Sequence, residues 1–218
     1  MKALNLFFPL VLPHVHGASD PALMQALRQT CIAFCKESDL VQRVTPTNIT
    51  AAVQDYAIVV PADMVFLRVL GVGWQGQWLG SVNPQDVESD VVLTGVAIGT
   101  ATPETGNPRA FFQKTPTAAG FSIYPIPNTT LANGLTVKAS YYPTQAALAV
   151  EDVLYDEYAE AIAAGAAARL MRTPGQTYTA ASTVNVDMLY AKGVSAARRH
   201  ARFGKMPVEA RVRPAAFL

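Results

Sequence analysis

Three glycines, Gly71, Gly73 and Gly76, have the spacing that holds a pyrophosphate in dinucleotide-binding proteins. Such a site requires a helix directly after the glycines, because the helix N-terminus binds the phosphates. The residues that follow here begin Gln77-Trp78 and have the pattern of a second strand. The glycines are therefore predicted to form a hairpin turn, and no nucleotide cofactor is expected.

Histidines and cysteines are the other residues that could hold a metal or a nucleophile. His14 and His16 are predicted to lie on one side of an extended segment, but no third ligand is near them in sequence. Cys31 and Cys35 are four residues apart on one predicted helix face, where they fit buried small hydrophobes better than a redox pair. No Gly-x-Ser-x-Gly motif is present. We expect no metal site and no catalytic site, and hence no enzyme.

A basic cluster near the C-terminus could bind an acidic partner. The chain has eight Lys and Arg against fourteen Asp and Glu before Arg169, and nine against two from Arg169 onward. The cluster could be a solvated helix end favoured by the helix dipole, or it could face a neighbouring subunit or DNA. Its members are Arg198, Arg199, His200, Arg202 and Lys205.

The segment after this cluster, residues 206–218, is broken by prolines and ends in Phe217-Leu218. It is predicted to be extended and to dock on another subunit. Trp74 and Trp78 flank the predicted hairpin turn. Both could be core residues, or they could contact a neighbour or a tail protein, since Trp is enriched in interface hot spots.

The composition suits one domain or two small ones, because half of the 218 residues are apolar and 15% are charged. Residues Leu4–Leu12 are apolar but contain Asn5 and Pro9, and they are too short to span a bilayer. We expect this stretch to be a buried extended arm. We expect synthesis in a reducing cytoplasm and no membrane partner.

The periodicity of the chain predicts helices over Asp20–Ser38, Glu151–Met171 and Ala180–Phe203. Between the first two, short β-rich runs alternate with turn residues, and a helical turn is predicted at Asn83–Asp90. The predicted strands are Leu40–Val44, Tyr56–Val60, Val65–Val72, Gln77–Val82, Arg109–Lys114, Phe121–Pro125 and Leu135–Tyr142.

The predicted fold class is α+β, a three-helix bundle with an inserted antiparallel β module, either a small barrel or a sandwich. Residues 1–38 form an N-terminal arm and the first helix, and residues 39–150 form the β module. The other two helices occupy 151–205, and 206–218 is an extended docking tail.

Four stretches occur in an order that resembles the head-to-tail adaptor proteins of tailed bacteriophages, of the tail tubular protein A type. They are Ala33-Phe34-Cys35, the run ending at Pro61, Tyr124-Pro-Ile-Pro127, and the Ala-rich segment from Tyr158 to Leu170. The resemblance covers about residues 10–204. It departs from the family at Asp39-Leu40-Val41, where an aromatic residue is usual, so the register of the first strand is left open.

The resemblance implies a structural virion protein, made in the host cytoplasm, that forms a ring of twelve copies at the head-tail junction. The ring would attach beneath the portal protein, extend the channel for genomic DNA and offer the tail its attachment surface. Such adaptors have no catalytic residues, and their C-terminal extension docks on the portal. Here the docking residues would be Arg211, Arg213, Phe217 and Leu218.

Two alternatives are weighed beside the adaptor. One is another tail-completion or stopper protein of the virion. The other is a nucleic-acid-binding protein that uses the basic C-terminal helix, although no recognised nucleic-acid module is visible.

Overall fold

The structure is a computed structural model that describes residues 1–82, 104–113, 119–173 and 180–203. Side-chain burial in the first turn of the last helix, residues 180–182, is not described. Several predictions lie outside these ranges: the turn at Asn83–Asp90, Lys205 and the tail from 206 to 218. In the described part, no helix is both long enough and apolar enough to span a membrane.

Five α-helices and one 3₁₀ helix are described. The 3₁₀ helix is Leu4–Phe7, and the α-helices are α1 (Phe8–Val11), α2 (Asp20–Ser38), α3 (Asp152–Asp156), α4 (Ala159–Met171) and α5 (Ala180–Phe203). The long helices α2, α4 and α5 pack on one another, which confirms the predicted bundle.

Two predictions about helices were wrong. The stretch from Leu4 to Leu12 is buried on one face but helical rather than extended, because Pro9 stands in the first turn of α1, where a missing N–H costs no hydrogen bond. The predicted helix 151–171 is broken between α3 and α4. Tyr158 there has φ −129°, outside the helical region.

Twelve strands are described. They are β1 (Lys2–Ala3), β2 (Gln42–Ile49), β3 (Asp55–Ala57), β4 (Met64–Trp74), β5 (Gln77–Trp78), β6 (Gly80–Ser81), β7 (Thr105–Gly106), β8 (Ala110–Phe112), β9 (Gly120–Tyr124), β10 (Ile126–Pro127), β11 (Leu131–Pro143) and β12 (Ala149–Val150).

Two four-stranded sheets form the β module. Their orders are β2-β11-β4-β5 and β3-β9-β8-β6, and a single hydrophobic core collects residues from both. The pairings are antiparallel except for β6–β8 and β7–β10. Among the described residues the sheets do not close into a barrel. The predicted α+β class, a bundle with an inserted and mainly antiparallel β module, is confirmed.

The first strand begins later than predicted. Asp39 ends α2 in the left-handed conformation with φ 53°, and its N–H donates to the carbonyl of Cys35 at 2.9 Å. Leu40 and Val41 then turn inward and are buried in the bundle core. Strand β2 therefore starts at Gln42 and pairs with β11.

The long strands β4 and β11 connect the two parts of the fold. At one end, Met64, Phe66, Ala139 and Tyr141 join the bundle core, and β11 packs on α2. At the other end, the same strands contribute to the core between the sheets. The sheet β2-β11-β4-β5 therefore fixes where the end of α2 and the end of α5 lie relative to the β module.

Candidate interaction surfaces

The predicted hairpin turn is present and removes the nucleotide interpretation. Gln75 and Gly76 join β4 to β5 with φ values of 48° and 84°, the signature of a two-residue primed turn. A strand, not a helix, follows the glycines. Gly71 and Gly73 lie within β4, so only Gly76 needs the freedom of a positive φ.

The histidines and cysteines do not form a reactive group. His14 and His16 are exposed in a turn after α1, not in an extended segment as predicted. Within the described ranges, no three or more His, Cys, Asp and Glu residues gather where a metal could bind. Cys31 and Cys35 are buried free thiols on α2, and burial raises the pKa of Cys31 to about 12. They pack as small apolar side chains.

The basic cluster divides in the structure. Arg198 donates from its Nε to the carbonyl oxygen of Glu37 at 2.6 Å, so it caps the end of α2. His200 lies on a different side of α5 from Arg198, and its Nδ1 is 3.1 Å from both Glu157 Oε2 and the hydroxyl of Tyr158. Arg199 and Arg202 are exposed. Residues that are clustered in the sequence therefore lie on at least two different surfaces of the protein.

Arg198 and Arg202 border a groove of about 670 Å³ between the ends of α2 and α5 and the outer face of the sheet. We call it the basic groove. Its lining contains five cationic side chains and two anionic ones, Glu37 and Asp39. The cations are Lys36, Arg68, Lys138, Arg198 and Arg202.

Two of the cations that the sequence did not point to are positioned by intramolecular contacts. Arg68 forms an ion pair with Asp39, and their hydrogen bond raises the pKa of the Arg68 guanidinium. The Lys36 ammonium lies 4.4 Å from the centre of the Tyr142 ring, within range of a cation–π interaction. Lys138 pairs with Gly71 across β11 and β4, on the sheet face opposite the buried Val137.

A second surface carries the opposite charge. Asp156, Glu157 and Glu160 are exposed where the chain passes from α3 to α4, and we call these three residues the acidic corner. They border a groove of about 590 Å³ whose other lining includes Leu10, Leu189 and one cation, Lys192. The break at Tyr158, which the sequence did not predict, creates this corner.

The two surfaces flank helix α5 on opposite sides. Arg198, Ala201 and Arg202 line the basic groove, whereas Leu189, Lys192, Gly193 and Ala196 line the groove at the acidic corner. At about 100° per residue, the centres of these two sets are about 180° apart around the helix axis. The buried face, which contains Val194 and Ala197, lies between them.

The two tryptophans have different environments. Trp74 is 8% exposed and belongs to the core between the sheets, whereas Trp78 is 62% exposed on the edge strand β5. The Trp78 ring covers Gly71, where an added Cβ would lie 3.1 Å from Cζ3. Gly71 and Lys138 face the same side of the sheet, so Trp78 shares its outer face with the basic groove.

The described features are those of a protein that functions by binding other macromolecules at its surface. A bundle and a pair of sheets present two oppositely charged surfaces and an exposed tryptophan, which are elements of macromolecular recognition. The chain matches the model of the SU10 adaptor protein family over residues 14–213 and belongs to that family. It is a structural adaptor protein of a bacteriophage and a component of the virion. No curated protein matches the chain.

The family match confirms the resemblance to head-to-tail adaptors. Of the residues that the sequence singled out, Trp74 is a core residue, and Trp78, Arg198, Arg199 and Arg202 are at the surface. Arg211, Arg213, Phe217 and Leu218 lie outside the described residues. Arg68 and Lys138 were missed, because each is a single charge in an apolar strand. Strand alternation, which places Lys138 on the outer face, was the available signal.

Proposed function

We propose that this chain forms a ring of twelve copies beneath the portal protein, extends the DNA channel and provides the attachment surface for the tail. The family match carries this proposal, since it spans the bundle, the β module and most of the basic C-terminal segment. Two different surfaces on opposite sides of α5 support it, because a closed ring requires each copy to offer two unlike faces.

The segment 206–218 is proposed to dock on the portal. The exposed Phe203 at the end of α5 supports this, because the chain leaves the bundle at the surface. Phe217 and Leu218 would be apolar anchors, and Arg211 and Arg213 would pair with carboxylates of the portal. The family match extends to residue 213 and so includes both arginines.

The β module is proposed to meet the tail. Trp78 supports this role, because a large aromatic side chain held on an edge strand offers apolar area at little cost in conformational entropy. Its ring is already restrained over Gly71 before any partner binds.

Deletion of residues 206–218 tests the portal contact. The truncated chain should keep its thermal midpoint, because a segment that orders only on docking contributes little to the folding of the isolated chain. Its capture by immobilised portal should fall more than about tenfold, a loss of more than about 1.4 kcal/mol of binding energy. The matched control is Glu209→Gln, which removes the one acidic side chain of the segment and should leave capture intact. Undiminished capture of the truncated chain would refute the docking role.

Nucleic-acid binding is a second candidate function, favoured by the exposed Arg199 and Arg202 on α5. In an adaptor these groups could face DNA in the channel, so the two functions overlap. DNA binding through several phosphates weakens steeply as salt rises. A salt-independent affinity for bare DNA would exclude it. A position elsewhere than between portal and tail in particle images would favour a tail-completion or stopper protein.

A further inference from the structure

We infer that the basic groove of one copy binds the acidic corner of the next copy, so that these two surfaces form the contact between subunits. The inference deepens the proposed ring and rests on it for the assumption that copies of the chain meet. It specifies which two surfaces are in contact and that the contact joins cationic to anionic side chains.

The occupant of the basic groove must be acidic. The net charge of the groove lining is positive, because it contains two anionic side chains, Glu37 and Asp39, and five cationic ones. The cationic side chains are Lys36, Arg68, Lys138, Arg198 and Arg202. It is an open corner between two helix ends and a sheet rather than a long channel. A side chain or a short turn fits such a corner better than a continuous phosphate backbone, which tracks along an elongated positive surface.

The acidic corner offers groups of the required type. Asp156 lies 3.8 Å from Lys2, and Glu157 lies beside His200, yet their side chains are still 55% and 30% exposed. A carboxylate has about four lone-pair sites on its two oxygens, so an exposed one can accept further hydrogen bonds while it keeps its contacts within the fold. Glu160 is exposed on the first turn of α4.

The placement of the two surfaces allows a chain of contacts. They lie about 180° apart around α5, so the two surfaces can face two different neighbours. The surfaces differ, so the contact is heterologous and closes into a ring when the rotation per copy permits. Apolar side chains lie beside both: Val44 and Trp78 on the outer sheet face, and Leu189 next to the acidic corner.

Charge reversal on each side separately tests the contact. The basic-groove variant carries Lys138→Glu and Arg202→Glu, and the acidic-corner variant carries Asp156→Lys and Glu160→Lys. These positions spare Arg68, Arg198 and Glu157, whose contacts within the fold are shorter than the 3.8 Å pair of Asp156 with Lys2. Each variant should associate with itself at least about tenfold more weakly than wild type, because like charges would face each other.

An equimolar mixture of the two variants should recover association, because each variant then meets a surface of opposite charge on both sides. Sedimentation velocity at low salt measures this. The matched control, Arg199→Glu, reverses an exposed charge on α5 that lines neither groove and should associate like wild type. Circular dichroism checks that each variant is folded.

Several outcomes would overturn the inference. They are a wild-type chain that stays monomeric at every soluble concentration, variants that associate as well as wild type, and a mixture that shows no recovery. A basic-groove variant that associates normally but loses DNA binding would assign the groove to nucleic acid. The test is separate from the proposed function, since a wild-type chain that associates through this contact yet is not captured by portal would refute only the portal role.

Discussion

The helical bundle and the β module differ in how closely their elements approach one another at glycines. In the bundle, helices approach so closely that an added Cβ at Gly193 would lie 2.2 Å from the Cβ of Ala161. An added Cβ at Gly165 would lie 2.5 Å from the Tyr190 ring. Both cores contain large buried side chains: Phe34 and Tyr141 in the bundle, and Tyr56 and Phe121, with ring centroids 5.7 Å apart, in the β module.

This difference determines how each region tolerates change. A core of close-packed helices has no room for a larger side chain, whereas a core of aromatic side chains between two sheets depends on their volume. The bundle should therefore be sensitive to small-to-large substitutions at these two glycines, and the β module to large-to-small ones at its aromatic residues. The exposed outer sheet face should be insensitive to both.

The largest effect is expected in the β module. Phe121→Ala removes a side chain that is 3% exposed, and it should lower the free energy of unfolding by about 3–5 kcal/mol. Urea denaturation measures the change, and Val44→Ala on the exposed sheet face is the control. A loss for Phe121→Ala no larger than that of the control would show that the sheets do not share a tightly packed core.

Gly193→Ala should have the next largest effect. Alanine is the better helix former by about 1 kcal/mol, so propensity alone predicts a gain in stability. The steric clash with Ala161 outweighs this gain, and we expect the free energy of unfolding to fall by about 1–3 kcal/mol. Thermal and urea denaturation can be compared with Ser195→Ala, an exposed position on the same helix that should be neutral or slightly stabilising. A stabilised Gly193→Ala protein would contradict the close approach of the helices.

Trp78→Ala should have the smallest effect on folding. The side chain is largely exposed, so the change in the free energy of unfolding should stay within about 0.5 kcal/mol. Binding of purified tail proteins should nevertheless weaken, if Trp78 is an anchor as proposed. Leu131→Ala, also an exposed apolar residue of the module, serves as the control in the same pull-down. Equal binding by both variants would remove Trp78 from the tail contact.

The sequence predicted the elements with strong local signals. Helix α2 has the predicted bounds, because Asp20 and Pro21 stand in its first turn and apolar residues recur at helical spacing. The hairpin at Gln75-Gly76 was predicted because a strand pattern follows the glycines. The N-terminal arm was predicted to be extended from its short apolar run, but it is helical, and Pro9 lies in the first turn of α1, where proline is tolerated.

The candidate surfaces could be predicted only in part. Arg198 and Arg202 were visible as a cluster, but Arg68 and Lys138 reach the same groove through the pairing of β4 with β11. Such long-range pairing leaves no trace in local spacing. The acidic corner depends on the break at Tyr158, where the run of helix-forming residues continues without a proline or glycine.

The most direct test of the adaptor function is the mass of the assembly that this chain forms with its portal. Light scattering of the mixture should show the portal ring plus twelve copies of the 23.3 kDa chain. The mass should fall back to that of the portal alone when residues 206–218 are deleted. A portal whose mass is unchanged by the full-length chain would contradict the account.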